Sequence, residues 1–192
     1  TSNIPVSDLT IHVSQSFGQI VLTLAGTNTT LSATGAGNIT LVGNAGDNVL
    51  IGNDGFNVLR GGLGDDLLIG GGPDGDPRGI ANNDSVDYSG ASGAVDAVLT
   101  DALEQGSEAG GYSTGADGND TFEGIENLIG SAFGDTLIGN SFGNVLRGNG
   151  GDDILNGRGG IDFASYNAAT GGVTVTLFDF NDGIALGISS GS

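Results

Sequence analysis

The sequence predicts an all-β fold in which short strands alternate with glycine-rich turns, and three observations lead to this prediction. Glycine stands at the first place of successive nine-residue frames, and the sixth place usually holds Asn or Asp. The eighth place usually holds an apolar residue. Ahead of the frames, Val6–Val13 and Gln19–Leu24 alternate or run apolar with β-branched residues, which is typical of strands.

The frames form two series. The first starts at Gly43 and reads GNAGDNVLI, GNDGFNVLR, GGLGDDLLI, GGGPDGDPR, GIANNDSVD. The second starts at Gly115 and reads GADGNDTFE, the short piece GIENLI, then GSAFGDTLI, GNSFGNVLR, GNGGDDILN, GRGGIDFAS. Chance does not hold three columns in phase over this distance. In GGGPDGDPR, Gly75 and Pro77 occupy positions six and eight, so we interpret that frame as a loop that leaves the regular coil.

The charge of the chain calls for a neutralising partner. The chain has 23 acidic and 4 basic residues, for a formal net charge of −19. A compact chain of that charge repels itself unless cations neutralise it, and 39 glycines add an entropic cost to folding. Bound metal is the natural source of the missing stability. Nucleic acid is a poor partner for such a chain, and no apolar run approaches the roughly 18 residues of a transmembrane span.

The frames resemble the nonapeptide G-G-x-G-x-D-x-U-x, with U a large apolar residue, of the RTX (repeats-in-toxin) family of hemolysin-type calcium-binding repeats. GGLGDDLLI at Gly61–Ile69 matches every defined position, and the resemblance covers residues 35–177. It implies a parallel β-roll, a solenoid like a β-helix, with two frames in each coil and calcium ions in the turns. Glycine lets the turn carbonyls point inward, and the position-six carboxylate supplies the hard oxygen that calcium prefers.

The candidate calcium ligands are the position-six side chains and the glycines of the turns. The position-six candidates are Asn48, Asn57, Asp66, Asp84, Asp120, Asp135, Asn144, Asp153 and Asp162, and the glycines are Gly43, Gly52, Gly61, Gly130, Gly139, Gly148 and Gly157. Because an Asn carbonyl is uncharged, the sites that use Asn are expected to be weaker.

Turns on one edge of a roll recur every two frames, so the spacing predicts which ligands pair. The predicted pairs are Asn48/Asp66, Asp66/Asp84, Asp135/Asp153, Asn144/Asp162 and, through the short piece GIENLI, Asp120/Asp135. Asn57 is predicted to face Gly75, which has no side-chain ligand, and this site is expected to be weak or absent.

Five segments follow from these patterns: N-terminal strands or a cap (1–34), the first run (35–90), an insertion (91–114), the second run (115–177), and a C-terminal strand and tail (178–192). The stretch before Gly43 leads directly into the first frame and is expected to start the coil. Within the insertion, Val95–Gln105 is predicted to form a strand followed by a short helix or loop.

The resemblance implies a secreted or cell-surface bacterial protein that leaves by type I secretion and folds when it meets calcium. Two functions stay open: a structural module (adhesin, surface-layer or filament subunit) and a carrier module of an enzyme or toxin whose catalytic domain is not in this chain. The structural function is favoured because nearly all residues belong to repeats or strands, and unpaired edges at the ends of a roll favour self-association.

No catalysis is expected. The G-x-S-x-G match at Gly187–Gly191 lies in the tail, and His12 is the single histidine.

Overall fold

The computed structural model describes residues 8–14, 20–72, 83–101, 110–168 and 189–190, and these contain β-strands and no helix. Accordingly, none of the described segments is a helix able to cross a membrane. Most of the predicted loop frame, the predicted helix or loop at 102–105 and most of the C-terminal strand lie outside the described residues.

The described strands form two sheets. Sheet A contains, in spatial order, β1 (Asp8–His12), β3 (Thr30–Thr34), β5 (Val49–Ile51), β7 (Leu67–Ile69), β11 (Thr121–Glu123), β10 (Gly110–Gly115), β9 (Val95–Thr100), β13 (Thr136–Ile138) and β15 (Ile154–Asn156). Sheet B contains, in spatial order, β17 (Ser189–Ser190), β16 (Phe163–Tyr166), β14 (Val145–Arg147), β12 (Asn127–Ile129), β8 (Ser85–Asp87), β6 (Asn57–Arg60), β4 (Ile39–Val42) and β2 (Ile20–Thr23).

The chain winds between these sheets as the nine-residue frames require. From β1 to β8, successive strands alternate between sheet A and sheet B, and each pairs in parallel with the strand one coil away. In sheet A, Leu50 lies opposite Leu31 on one side and Leu68 on the other. The predicted parallel β-roll is confirmed, and it starts ahead of the first frame, because β1 and β2 already pair in register with β3 and β4.

The side chains at position eight form a thin core between the sheets. The flanking residues at positions seven and nine are mostly half-buried or exposed, so each three-residue strand contributes one side chain to the core. Burying one Leu or Val in this way contributes about 1.5–3 kcal/mol. Leu155 is only half-buried, whereas the other position-eight residues are buried: Leu50, Leu59, Leu68, Val86, Phe122, Leu137, Leu146 and Ala164.

Strands β6 and β8 pair directly in sheet B, although a regular coil would put a strand of the frame GGGPDGDPR between them. The turn before β8 therefore follows the turn before β6 along the roll.

A β-hairpin from the insertion interrupts sheet A at a place that the spacing of the frames does not predict. Strand β11, from the second series, pairs directly with β7 from the first, and the hairpin of β9 and β10 lies between β11 and β13. Strand β10 is antiparallel to both neighbours, and Gly111 makes this possible, because a Cβ at Gly111 would come within 3 Å of the Phe122 ring and the Val98 carbonyl oxygen.

Candidate metal site

The position-six side chains lie in two rows, one along each edge of the roll. The A edge is the row of turns that precede sheet A strands, and it carries Asn48, Asp66, Asp120, Asp135 and Asp153. The B edge precedes the sheet B strands, and it carries Asn57, Asp84, Glu126, Asn144 and Asp162. All but Asp153 are buried, with exposed fractions of 1–4 %.

One side-chain oxygen at position six links neighbouring coils. In each link the backbone N–H of a position-six residue donates to the side-chain oxygen of the next residue in the row. These bonds join Asn48 to Asp66 (2.8 Å), Asp66 to Asp120 (3.0 Å), Asp135 to Asp153 (3.0 Å), Asn57 to Asp84 (2.7 Å), Asp84 to Glu126 (2.6 Å) and Asn144 to Asp162 (2.8 Å).

The other oxygen turns back over the position-one glycine of the same turn. A Cβ at Gly61 would collide with Oδ2 of Asp66, and one at Gly148 would collide with Oδ2 of Asp153. In some turns the backbone carbonyl oxygen of a glycine in the next coil also lies in the space that a Cβ of the position-one glycine would take. Above Gly70, for example, Oδ2 of Asp84 and the carbonyl oxygen of Gly124 converge. Glycine at position one is thus required by these oxygens, which occupy the space of a side chain.

Two carboxylates keep this second oxygen without a partner. Oδ2 of Asp66 and Oδ2 of Asp84 are buried, and neither forms a hydrogen bond with any described residue. Burial raises the pKa of Asp66 to about 7 and that of Asp84 to about 8, and the charge of Asp120 adds to the rise at Asp66. A buried carboxylate in this situation takes up a proton or a cation.

Asp120 has a different environment, because the core supplies donors for it. Its Oδ2 accepts hydrogen bonds from the Tyr88 hydroxyl (2.6 Å) and the Ser113 hydroxyl (3.1 Å), and its Oδ1 accepts the N–H of Asp66. Tyr88 and Ser113 are both buried, and Tyr88 packs near the ring of Phe122. Burial still raises the pKa of Asp120, while these donors act to lower it. Both oxygens of Asp120 therefore have protein partners.

The rows correct three of the predicted pairings. Asp66 and Asp84 lie on opposite edges, because the loop frame removes one strand from the roll. Asp66 instead neighbours Asp120, and Asn57 faces Asp84 rather than Gly75. Asp120 and Asp135 are not neighbours either, because the hairpin lies between them, and Asp135 accepts the N–H of Val95. The neighbours predicted at Asn48/Asp66, Asp135/Asp153 and Asn144/Asp162 are found.

Two members of the site were missed from the sequence. Glu126 takes position six in GIENLI, and its Oε2 accepts the N–H of Asp84. Gly70 takes position one for Asp84 although nine residues of the loop frame separate it from its regular place. Aligning GIENLI on Leu128, which lies opposite Val86 in the core, would have placed Glu126 correctly.

The donor set of the two edges fits calcium. Turns such as that of Asp84 combine a position-six side-chain oxygen with a backbone carbonyl oxygen, and calcium takes such hard ligands in flexible geometry. Within the described ranges no three His, Asp or Glu side chains gather at one point, so a cation in these turns would depend on carbonyls. A cation would be stabilised most next to the unpartnered carboxylate oxygens of Asp66 and Asp84.

The fold and the turns define a parallel β-roll of short strands with oxygen-rich turns. Residues 42–72 and 129–164 match the family model of the RTX calcium-binding nonapeptide repeat, in four copies. The chain therefore contains RTX repeats, which are calcium-binding motifs, and the resemblance drawn from the sequence is confirmed. Such repeats imply a calcium-binding structural module of a secreted bacterial protein. No curated protein matches the chain.

Proposed function

We propose that the chain is a calcium-folded structural module of a secreted or cell-surface protein, acting as part of an adhesin, surface layer or filament. The observation that carries the proposal is the pair of buried carboxylate oxygens at Asp66 and Asp84 that have no partner among the described residues. Calcium supplies the countercharge for them, and its binding free energy becomes folding free energy. Where calcium is scarce, the same acidic residues oppose a compact state.

The module acts by folding and not by catalysis. Its buried position-six carboxylates serve the turns, because each of them in the described part of the chain accepts a backbone N–H from a neighbouring coil. In this proposal the chain is exported unfolded and acquires its shape outside the cell, where calcium reaches millimolar concentrations suited to extracellular modules.

Far-ultraviolet circular dichroism tests the calcium requirement. We expect a disordered spectrum in excess chelator at neutral pH and a β spectrum with a cooperative thermal transition at millimolar calcium. Magnesium at the same concentration is the control for ionic strength, since its rigid octahedral coordination suits carbonyl-rich turns poorly. A thermal transition of the same height in chelator would contradict the proposal.

Exposed apolar side chains near one end of the roll support self-association of the module. Ile154 on β15, the outermost described strand of sheet A at that end, is 63 % exposed, and Ile161 and Phe163 nearby are 58 % and 50 % exposed. Exposed apolar groups beside a strand edge favour contact with a second chain. A contact of this kind that does not close into a ring gives a filament.

Light scattering with and without calcium tests the assembly. We expect calcium to produce species larger than the monomer and Ile154→Glu to abolish them. Leu63→Glu is the matched control, because Leu63 is 49 % exposed but lies in a turn on the side of the roll. A strictly monomeric wild type at high protein concentration and millimolar calcium would favour the alternative, a carrier module for an enzyme or toxin domain.

A further inference from the structure

The side-chain amide of Asn57 lies inside a cage of oxygen atoms. Its Nδ2 is 2.6 Å from the carbonyl oxygen of Gly55, 3.0 Å from those of Asn53 and Gly70, and 2.9 Å from Oδ1 of Asp84. Asn57 is only 1 % exposed. The cage brings together oxygens from two coils, because Gly70 and Asp84 belong to the turn that follows along the B edge.

This cage has the composition of a calcium site. Three carbonyls and one carboxylate are hard oxygen ligands, and an NH₂ group has two protons to share among all four of them. The amide therefore stands where a cation would be expected, and its two protons provide the positive charge density that the oxygens require. At the corresponding place beside Asp66, by contrast, Oδ2 is buried and no described residue donates to it.

We propose that Asn57 is a built-in substitute for calcium and not a weak calcium ligand. The inference rests on the proposed calcium-dependent folding and adds which turns need the ion. At Asp66 and Asp84 the position-six carboxylate leaves one oxygen for a cation, whereas Asn57 fills its turn with its own amide. The choice of Asp or Asn at position six is therefore one determinant of the number of bound ions, and neighbouring donors such as those of Asp120 are another.

A second Asn shows a reduced form of the same arrangement. Nδ2 of Asn144 donates to the carbonyl oxygen of Glu126 (2.8 Å) and to Oδ1 of Asn140 (3.2 Å). It is also 1 % exposed. With two acceptors instead of four, this turn resembles a calcium cage less closely, so Asn57 is the sharper test.

Calorimetric titration with calcium chloride compares the wild type with Asn57→Asp. The variant carboxylate would face four oxygens without a proton to share, so it would need a cation there. We expect the variant to bind one more equivalent of calcium than the wild type and to require more calcium to reach half its β signal. Asn156→Asp is the matched control, because Asn156 is exposed on β15, and its stoichiometry should equal that of the wild type.

If Asn57 were a weak ligand, Asn57→Asp would tighten an existing site and leave the stoichiometry unchanged, and that result would overturn the proposal. Asp66→Asn provides the reciprocal test should Asn57→Asp not fold: it should lose one equivalent and keep a β spectrum in calcium. Retention of the full stoichiometry in Asp66→Asn would also overturn it. A wild type that binds no calcium would instead refute the proposed function, so the two failures are distinguishable.

Discussion

Asp84 and Asp120 both occupy position six of their frames, but their carboxylate oxygens have different partners in the roll. Asp84 lies on the B edge, where one carboxylate oxygen links two coils and the other is buried without a partner among the described residues. Asp120 lies beside the hairpin, where Tyr88 and Ser113 donate to the oxygen that would otherwise be unpartnered. The repeat pattern alone therefore does not determine the need for an ion, because neighbouring donors can remove it.

The hairpin region thus has features of an ordinary protein core inside a calcium-dependent array. It buries Tyr88, Val95, Ala97, Leu99 and Phe122, which gives it more apolar contact than a regular coil with two core side chains. It also provides neutral hydroxyl donors in place of a cation. We expect the stability of this region to depend on packing and hydrogen bonds, and that of the turns at Asp66 and Asp84 to depend on calcium.

The largest effect is expected from Asp84→Ala. The variant loses the ion at that turn, and an ion held at a hundred times its dissociation constant contributes about 2.7 kcal/mol. Urea unfolding at several calcium concentrations should show a lower free energy of unfolding and a slope against log calcium that is smaller by one ion. Asp96→Ala removes an exposed acid from β9 and should leave the slope unchanged. An unaltered slope in Asp84→Ala would mean that this turn binds no calcium.

Tyr88→Phe should have a smaller effect of a different kind. It removes the hydroxyl that donates to Asp120 and leaves a buried carboxylate oxygen with one donor fewer, which costs about 1–3 kcal/mol. Because no ion is involved, the slope of the free energy of unfolding against log calcium should stay at the wild-type value. Tyr112→Phe is the matched control: Tyr112 is 49 % exposed, so this variant should lose little stability. A reduced slope in Tyr88→Phe would place an ion at Asp120 and remove the contrast with Asp84.

The regular coils could be predicted from the sequence, whereas the region around the hairpin could not. The nine-residue phase is a local pattern, so it predicted the strands, the alternation between sheets and the buried position-eight row. The neighbours within one unbroken run, such as Asn48 and Asp66, followed from the same phase. These features depend only on residues one coil apart in the chain.

Pairing across the irregular segments could not be predicted in this way. Asp66 lies next to Asp120, which is 54 residues away, because one frame leaves the coil and β11 joins β7 ahead of the hairpin. Nothing in the spacing says where a hairpin of antiparallel strands will enter a parallel sheet. The donors to Asp120 were missed for the same reason, since Tyr88 and Ser113 lie in segments that do not follow the repeat.

Apart from these single substitutions, the turns at Asp66 and Asp84 should make the stability of the chain depend on pH. Their pKa values are raised from 3.8 to about 7 and about 8, so between about pH 4 and pH 8 the folded chain without calcium binds more protons than the unfolded chain. In chelator, the folded state should therefore gain stability as the pH falls from 8 towards 4 and lose it as the pH rises.

Saturating calcium should abolish this dependence, because the ion displaces the protons and both carboxylates are then ionised in the folded and the unfolded chain alike. Without the ion, each group contributes at most about 1.4 kcal/mol for each pH unit between its unfolded and folded pKa. In limiting calcium the protonated folded form adds to the calcium-bound one, so the calcium concentration at half-folding should fall as the pH falls from 8 to 6, as circular dichroism titrations can measure. The double variant Asp66→Asn/Asp84→Asn has two negative charges fewer than the wild type and lacks both groups, so it should show a much weaker dependence. Equal half-folding calcium concentrations at pH 8 and pH 6 in the wild type would mean that the folded chain does not hold these protons, and the contrast with Asp120 would then rest on hydrogen bonding alone.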